Sequence, residues 1–316
     1  MTPEAACFER RDVQALVDQF DAQGVQPYEA LGVLGARHAM EAVTRLQSPK
    51  THVQLVEDLL VPGEVGLLPA RLYHPDPSQT LPLVVYIHGG GWALGSVRAA
   101  DGSCRKMAAL GNCAVVAIEY RLAPETKFPG ALNDCVSAVR WMAHNAQQWA
   151  VDTGTIVLVG DSAGGNLVVS TILELQNDAS VEFAAQILIY PSLAPAKDSP
   201  FASYRLNADA PLIPRSTMRW FWDLYLRDES DSADPRASPL LAEDLSGMPP
   251  TKIYLAELDT LKDEGLSFAE RLGEAGVHTD CRLYEGAIHG FWWMDAALEQ
   301  ANELNEQIGT YLRTLS

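Results

Sequence analysis

Long apolar runs are missing from this chain. No stretch of its 316 residues approaches the roughly 18 uninterrupted apolar positions that a membrane-spanning helix needs. Positive charge is scarce, with 23 Lys and Arg against 41 Asp and Glu, a formal net charge of −18. No Lys/Arg cluster offers a local exception, so nucleic acid and anionic membranes are excluded as partners. Cysteine is sparse and odd in number: Cys7, Cys104, Cys113, Cys135 and Cys281, without metal-type spacing. That pattern excludes a disulfide framework and a zinc site, and reads as reduced, mostly buried thiols. Cys104 and Cys113 are expected to be core residues rather than a bridge. The first ten residues have no basic stretch followed by an apolar core, so a secretory signal is not read and the expected location is cytoplasmic. Internal repeats and low-complexity linkers are absent as well. What remains is ordinary globular composition, 47% hydrophobic, enough for a sizeable core.

Helical periodicity runs from residue 3 to about 47 and breaks near Gly24-Val25-Gln26-Pro27. Beyond residue 52, short β-rich runs appear at 53–57, 67–73, 83–88, 114–119, 155–160, 185–190, 251–256 and 278–284. The middle ones, such as Leu83-Val84-Val85-Tyr86-Ile87, are almost continuously apolar, which marks central strands covered on both faces. Helical patterns at about 98–110, 130–149, 164–177, 263–275 and 295–313 separate them. Strands alternating with helices predict one doubly wound, mostly parallel eight-stranded sheet flanked by helices. The stretch from about 192 to 248 breaks the alternation, being rich in Pro, Ser and Asp around one aromatic helix, Met218 to Leu226. An excursion of that length reads as a cap over a functional site. The expected organisation is therefore residues 1–50 as the N-terminal part of a helical cap and 51–316 as a catalytic domain, with a cap insertion at about 192–248.

One pentapeptide stands between a strand pattern and a helix pattern: Gly160-Asp161-Ser162-Ala163-Gly164. Such a corner strains the residue at its apex and exposes a serine hydroxyl at the C-terminal edge of the sheet, with a helix N-terminus behind it. A plain strand-to-helix turn is the structural alternative. A nucleophilic serine also needs a base and an orienting carboxylate, and in a doubly wound sheet these come from loops at strand C-termini. Asp259 follows the run Ile253-Tyr254-Leu255-Ala256, and His289 lies beyond Cys281-Arg282-Leu283-Tyr284. A fourth loop, His88-Gly89-Gly90-Gly91-Trp92, follows the strand at 83–88. Consecutive glycines let backbone N–H groups turn inward, so Gly89, Gly90 and Gly91 together with Ala163 are candidates for an oxyanion hole.

Five motifs occur in order: His88-Gly89-Gly90-Gly91, Glu119 to Glu125 (EYRLAPE), Gly160 to Leu167 (GDSAGGNL), Asp259 to Gly265 (DTLKDEG) and His289-Gly290-Phe291. From about residue 65 onward the chain resembles the bacterial hormone-sensitive-lipase-like carboxylesterases of the α/β-hydrolase superfamily. The resemblance implies the α/β-hydrolase fold, a Ser162–Asp259–His289 triad, oxyanion donors at Gly90 and Gly91 with Gly89 as the turn residue, no cofactor and no metal. It also implies that homodimers are common. One departure is Thr260, where many members carry proline.

Other residues have competing readings. Asp263 is the rival of Asp259, but its place at a helix start suits the macrodipole. His88 is read as pinning the glycine loop through a backbone hydrogen bond, and Asp161 as a support for nearby loops or, alternatively, a substrate contact. Arg121 is read as a brace through ion pairs. Trp92, Tyr190 and Phe291 are the candidate walls of the substrate pocket. The expected activity is hydrolysis of short-chain acyl esters, acetyl to butyryl, of small molecules through an acyl-enzyme. Activity should fall at acidic pH, around the ordinary histidine value of about 6.5. Amide, carbamate or lactone hydrolysis on the same triad remains open, as does a ligand-binding protein without catalysis.

Overall fold

Leu83, Val85 and Ile87 face one way along their strand and Val84 and Tyr86 the other, yet all are buried. Such a strand has no face to give to water, and it sits at the middle of an eight-stranded sheet. The computed structural model describes residues 10–315. Its strands are β1 (Leu55–Pro62), β2 (Leu67–His74), β3 (Leu81–Ile87), β4 (Ala114–Ile118), β5 (Val151–Asp161), β6 (Phe183–Ile189), β7 (Thr251–Leu258) and β8 (Thr279–Ile288). They lie in the order β1-β2-β4-β3-β5-β6-β7-β8. β2 is antiparallel to both β1 and β4, and β4, β3, β5, β6, β7 and β8 run parallel.

The helices are α1 (Arg11–Ala22), α2 (Tyr28–Ala42), α3 (Asp101–Gly111), α4 (Gly130–Asn145), α5 (Ala163–Leu175), α6 (Ser203–Leu206), α7 (Arg215–Tyr225), α8 (Lys262–Glu274) and α9 (Glu299–Arg313). Buried residues of α4, α5 and α8 build the core on one face of the sheet, and those of α1, α3 and α9 the core on the other. All eight strand patterns correspond to strands. The expected helix at 130–149 ends at Asn145 and closes in a 3-10 turn, Ala146–Trp149, because Ala150 adopts a left-handed φ of 55°. The pattern beginning at 295 becomes helical only at Glu299. Cys104, Cys113 and Cys135 are buried free thiols, and Cys281 is a half-buried one. Cys7 and the part of the N-terminal helical pattern before residue 10 lie outside the described residues.

The topology sets where a site can form. β3 is flanked by β4 on one side and β5 on the other, so the chain reverses its direction of winding there. A crevice opens at such a switch point, outside the carboxyl ends of the strands. Two separate stretches of chain cover it. α2 carries Arg37, which donates to Ala93 O (2.9 Å) and Ala123 O (3.0 Å) and forks onto the Glu125 carboxylate at 2.9 and 2.7 Å. α7 is held at its C-terminal end by Lys127 Nζ, which donates to the carbonyls of Asp223, Leu224 and Leu226 at 3.0, 2.9 and 2.6 Å. These last carbonyls have no intrahelical partner, and a cation placed there also suits the helix dipole. The two helices meet through the Tyr28 and Phe221 rings, 6.1 Å apart, and through the Thr217 hydroxyl donating to the Glu29 carboxylate.

Candidate active site

Ser162 stands at the corner between β5 and α5 with φ 54° and ψ −121°, a conformation that side-chain-bearing residues rarely adopt. The corner is tight enough that only glycine fits beside it. A Cβ on Gly164 would overlap the carbonyl oxygen of Ile87, and one on Gly160 would overlap that of Gly164. Asp259 follows β7, and His289 follows β8. The imidazole faces Asp259 Oδ2 through Nδ1 at 2.7 Å and Ser162 Oγ through Nε2 at 3.0 Å. A carboxylate has no proton to give, so Nδ1 carries the hydrogen and Nε2 is left to accept from the serine. The other oxygen, Asp259 Oδ1, accepts from Leu261 N at 2.9 Å. Ser162, Asp259 and His289 are 8%, 1% and 5% exposed, which shields the chain of hydrogen bonds from bulk water. Asp263 is directed elsewhere: its carboxylate accepts from Ser203 N at 2.7 Å.

The glycine loop is braced from beneath. Tyr86 donates its hydroxyl to Asp161 Oδ1 at 2.5 Å, and Gly89 N donates to the same oxygen at 2.9 Å. Burial pushes the Asp161 carboxyl up, against the opposing pull of these two hydrogen bonds. His88 Nδ1 lies 2.8 Å from Gly89 O, and its ring stacks on Tyr120 with centroids 4.4 Å apart. Because the Gly89 N–H is spent on Asp161, Gly89 does not belong among the oxyanion donors. Gly90 and Gly91, with φ of 115° and 58°, border the cleft beside Ser162. Ala163 opens α5, so its N–H is one of the four at the helix start without an intrahelical acceptor.

The cleft spans about 510 Å³ including its open mouth. Tyr190 lines it, at a ring distance of 4.5 Å from His289. Trp92 and Phe291, the other two expected walls, do not. Positive φ at Gly90, Gly91 and Trp92 itself coils the loop, turning the Trp92 indole away under α7. There it stacks on Tyr225 at 4.3 Å and abuts Trp222 at 4.8 Å. Phe291 follows Gly290 (φ 78°) into a 3-10 turn and packs between Tyr190 and Tyr284, at 5.8 and 5.0 Å. The walls that sequence reading missed are Tyr28 and Met40 of α2, Leu212, Ile213 and Phe221 of the 192–248 stretch, and Trp293 with Met294. Phe221 lies so close to the glycine loop that a Cβ on Gly91 would overlap its ring. Arg121 braces its loop as read, holding Asp134 (Nε–Oδ2 2.7 Å) and Glu64 (2.7 Å). Among the described residues no helix is long and apolar enough to cross a membrane, and no group of three His, Cys, Asp or Glu side chains is placed to hold a metal ion.

The model of a family described as alpha/beta hydrolase fold matches residues 84–293, which carry the glycine loop and all three members of the Ser–His–Asp chain. A carboxylic ester hydrolase (LipN) of Mycobacterium tuberculosis is 38% identical over 82% of this chain and 70% of its own length. An ethyl acetate hydrolase of Pseudomonas putida is 35% identical over 88% of this chain and 89% of its own. Among solved structures, an ester hydrolase from the metagenome of Lake Arreo superposes with a TM-score of 0.91 at 32% identity, covering 96% of this chain and 98% of that one. On the sequence match, the superposition and the geometry together, the chain belongs to the α/β-hydrolase fold family, in its hormone-sensitive-lipase-like carboxylesterase branch.

Proposed function

We propose that this carboxylesterase hydrolyses short-chain acyl esters of small molecules, acetyl to butyryl, through an acyl-enzyme on Ser162. The observation that carries the reading is the unbroken run from Asp259 through His289 to Ser162 Oγ at the floor of an apolar cleft. His289 Nε2 takes the serine proton as Oγ attacks the ester carbonyl. Asp259 holds the imidazole in the tautomer this requires and stabilises the cation that forms. The N–H groups of Gly90, Gly91 and Ala163 receive the negative oxygen of the tetrahedral intermediate. Each such donor is worth about 3–4 kcal/mol in the transition state. The alcohol departs with the proton from His289, and water then cleaves the acyl-enzyme by the same steps.

Chain length is set by the cover. We take α2, from the segment expected as the N-terminal part of the cap, with residues 192–248 as the cover, whose Tyr28, Leu212, Ile213 and Phe221 line the cleft. A relative named for ethyl acetate, an acetyl ester with a two-carbon alcohol, supports the same size class. Nitrophenyl esters with acyl chains of increasing length test the proposal on purified protein, with Ser162→Ala as the blank. Turnover should peak at acetyl to butyryl and decline beyond it. Fastest turnover on the longest chains would overturn the size assignment, and equal rates with the blank would overturn the mechanism.

A further inference from the structure

Asp259 needs support for its own backbone, because it lies one residue beyond the end of β7. The β7–β8 register shifts between Ala256 and Leu258, where the single β7 residue Glu257 stands against three residues of β8, 285–287, so the bulge lies in β8. A bulge leaves a residue outside the ladder and bends the strand. Thr260, next in line after the acid, has none of the φ restriction a proline would bring. Yet the carboxylate must stay within hydrogen-bond reach of His289 Nδ1.

The missing donors come from outside the sheet. Asn207 caps the C-terminal end of α6, and its amide nitrogen donates to two carbonyls at once, Asp259 O at 2.8 Å and Glu257 O at 3.1 Å. An amide NH2 has two hydrogens, and both are used. The Glu257 side chain in turn accepts from Gly286 N at 2.7 Å, in the segment that leads to His289. One turn earlier Ser203, fully buried, donates its hydroxyl to Thr260 O at 2.7 Å. The carbonyls of residues 257, 259 and 260 are thus all held by one short segment. That segment continues to Leu212 and Ile213, which line the cleft, while Asn207 itself does not.

We propose that Asn207 is a positioning residue of the esterase reaction, acting through Asp259: its two hydrogen bonds hold the acid loop so that the carboxylate meets His289. The proposal rests on the triad reading given above. It assigns to the cap a part in the chemistry as well as in substrate size, since the residue that steadies the acid belongs to the cap insertion.

A double-mutant cycle tests it on the full chain with nitrophenyl butyrate, comparing Asn207→Ala, Asp259→Ala and the double variant. Asn207→Ala should lower kcat roughly 10- to 100-fold, the cost of an ångström-scale misplacement of a catalytic group, with KM nearly unchanged. Asn207→Asp has the same shape without the donors and should lose as much, which also carries the test if the alanine variant fails to fold. In the Asp259→Ala background, Asn207→Ala should add nothing, because a residue acting only through Asp259 has nothing left to position. A folded Asn207 variant with parental kcat overturns the proposal. So does a kcat loss that persists in the Asp259→Ala background, which is what general loosening of the fold would produce. If Asp259→Ala itself keeps parental kcat, the triad reading fails and takes this proposal with it, an outcome distinct from failure at Asn207 alone.

Discussion

Replacing Phe221 with alanine should move the acyl-chain optimum to longer esters. The ring is 2% exposed, borders the cleft, touches the glycine loop at Gly91 and packs on Tyr28 at 6.1 Å. Loss of its six ring carbons leaves room for about four methylene groups. Each methylene transferred from water to an apolar site is worth about 0.8 kcal/mol. Four of them give about 3 kcal/mol, so octanoyl should gain up to roughly 100-fold in kcat/KM relative to butyryl, compared with the same ratio in the parent. The stability cost should fall toward the lower part of the 3–5 kcal/mol range for Phe→Ala, because one side of the ring already faces open space.

The assay is kcat/KM across nitrophenyl esters of two to sixteen carbons for the parent, Phe221→Ala and Trp220→Ala. Trp220 precedes Phe221 on α7, is half-buried and does not line the cleft, so its removal takes away aromatic bulk without enlarging the site. The Trp220 variant should keep the parental profile. Superimposable profiles for Phe221→Ala and the parent would refute the claim that this ring sets the length limit. A uniform loss at every chain length would show that its role is to hold the glycine loop.

Tyr86→Phe removes the hydroxyl that donates to Asp161 Oδ1 and leaves Gly89 N as that oxygen's remaining donor. A buried hydrogen bond to a carboxylate is worth about 1.5–3 kcal/mol, so thermal stability should fall. A kcat decrease of about tenfold at constant KM should accompany it as the glycine loop loosens. Unchanged kcat in the folded variant would separate Asp161 from the loop. Asp101→Asn tests a second buried carboxylate, which is 3% exposed and contacts Lys50 at 2.7 Å, Arg105 at 2.9 Å and the Tyr73 hydroxyl at 3.1 Å. Burial pushes this carboxyl up, but the hydrogen bonds from Lys50 and Arg105 prevail and hold it below its ordinary value of 3.8. A depressed carboxyl contributes stability above its unfolded value and loses it as pH falls through the folded one. The parent's lead in Tm over Asp101→Asn should therefore be full at pH 7 and shrink below about pH 4. A constant gap across that range would contradict the sign.

How much of this was legible in the sequence depended on the range of the interaction that decides each feature. The central strands read correctly because Leu83 to Ile87 and Ala114 to Ile118 are apolar on both faces, a property each segment carries by itself. The Gly160–Gly164 corner was legible for the same reason, since its glycines answer to overlaps within one strand, its helix and the neighbouring Ile87 carbonyl. Trp92 and Phe291 were misplaced because they adjoin reacting loops along the chain, and adjacency in sequence does not survive a run of positive φ. Each of those loops coils through the left-handed region, and the aromatic ring ends behind the wall it was expected to form. The true walls were hidden for the converse reason. Tyr28 and Phe221 are 193 positions apart, in two separate helical patterns, and become a wall only where those helices meet beside Gly91. Asn207 was less visible still, since a single asparagine after a four-residue helix has no pattern to announce it. Its partners are backbone carbonyls, which every residue has. Reaction chemistry demands particular side chains at particular corners and so leaves a local signature. Substrate fit and the support of the acid loop demand only that something of the right shape or donor count arrive from elsewhere in the fold, and many sequences can meet that demand without a shared motif.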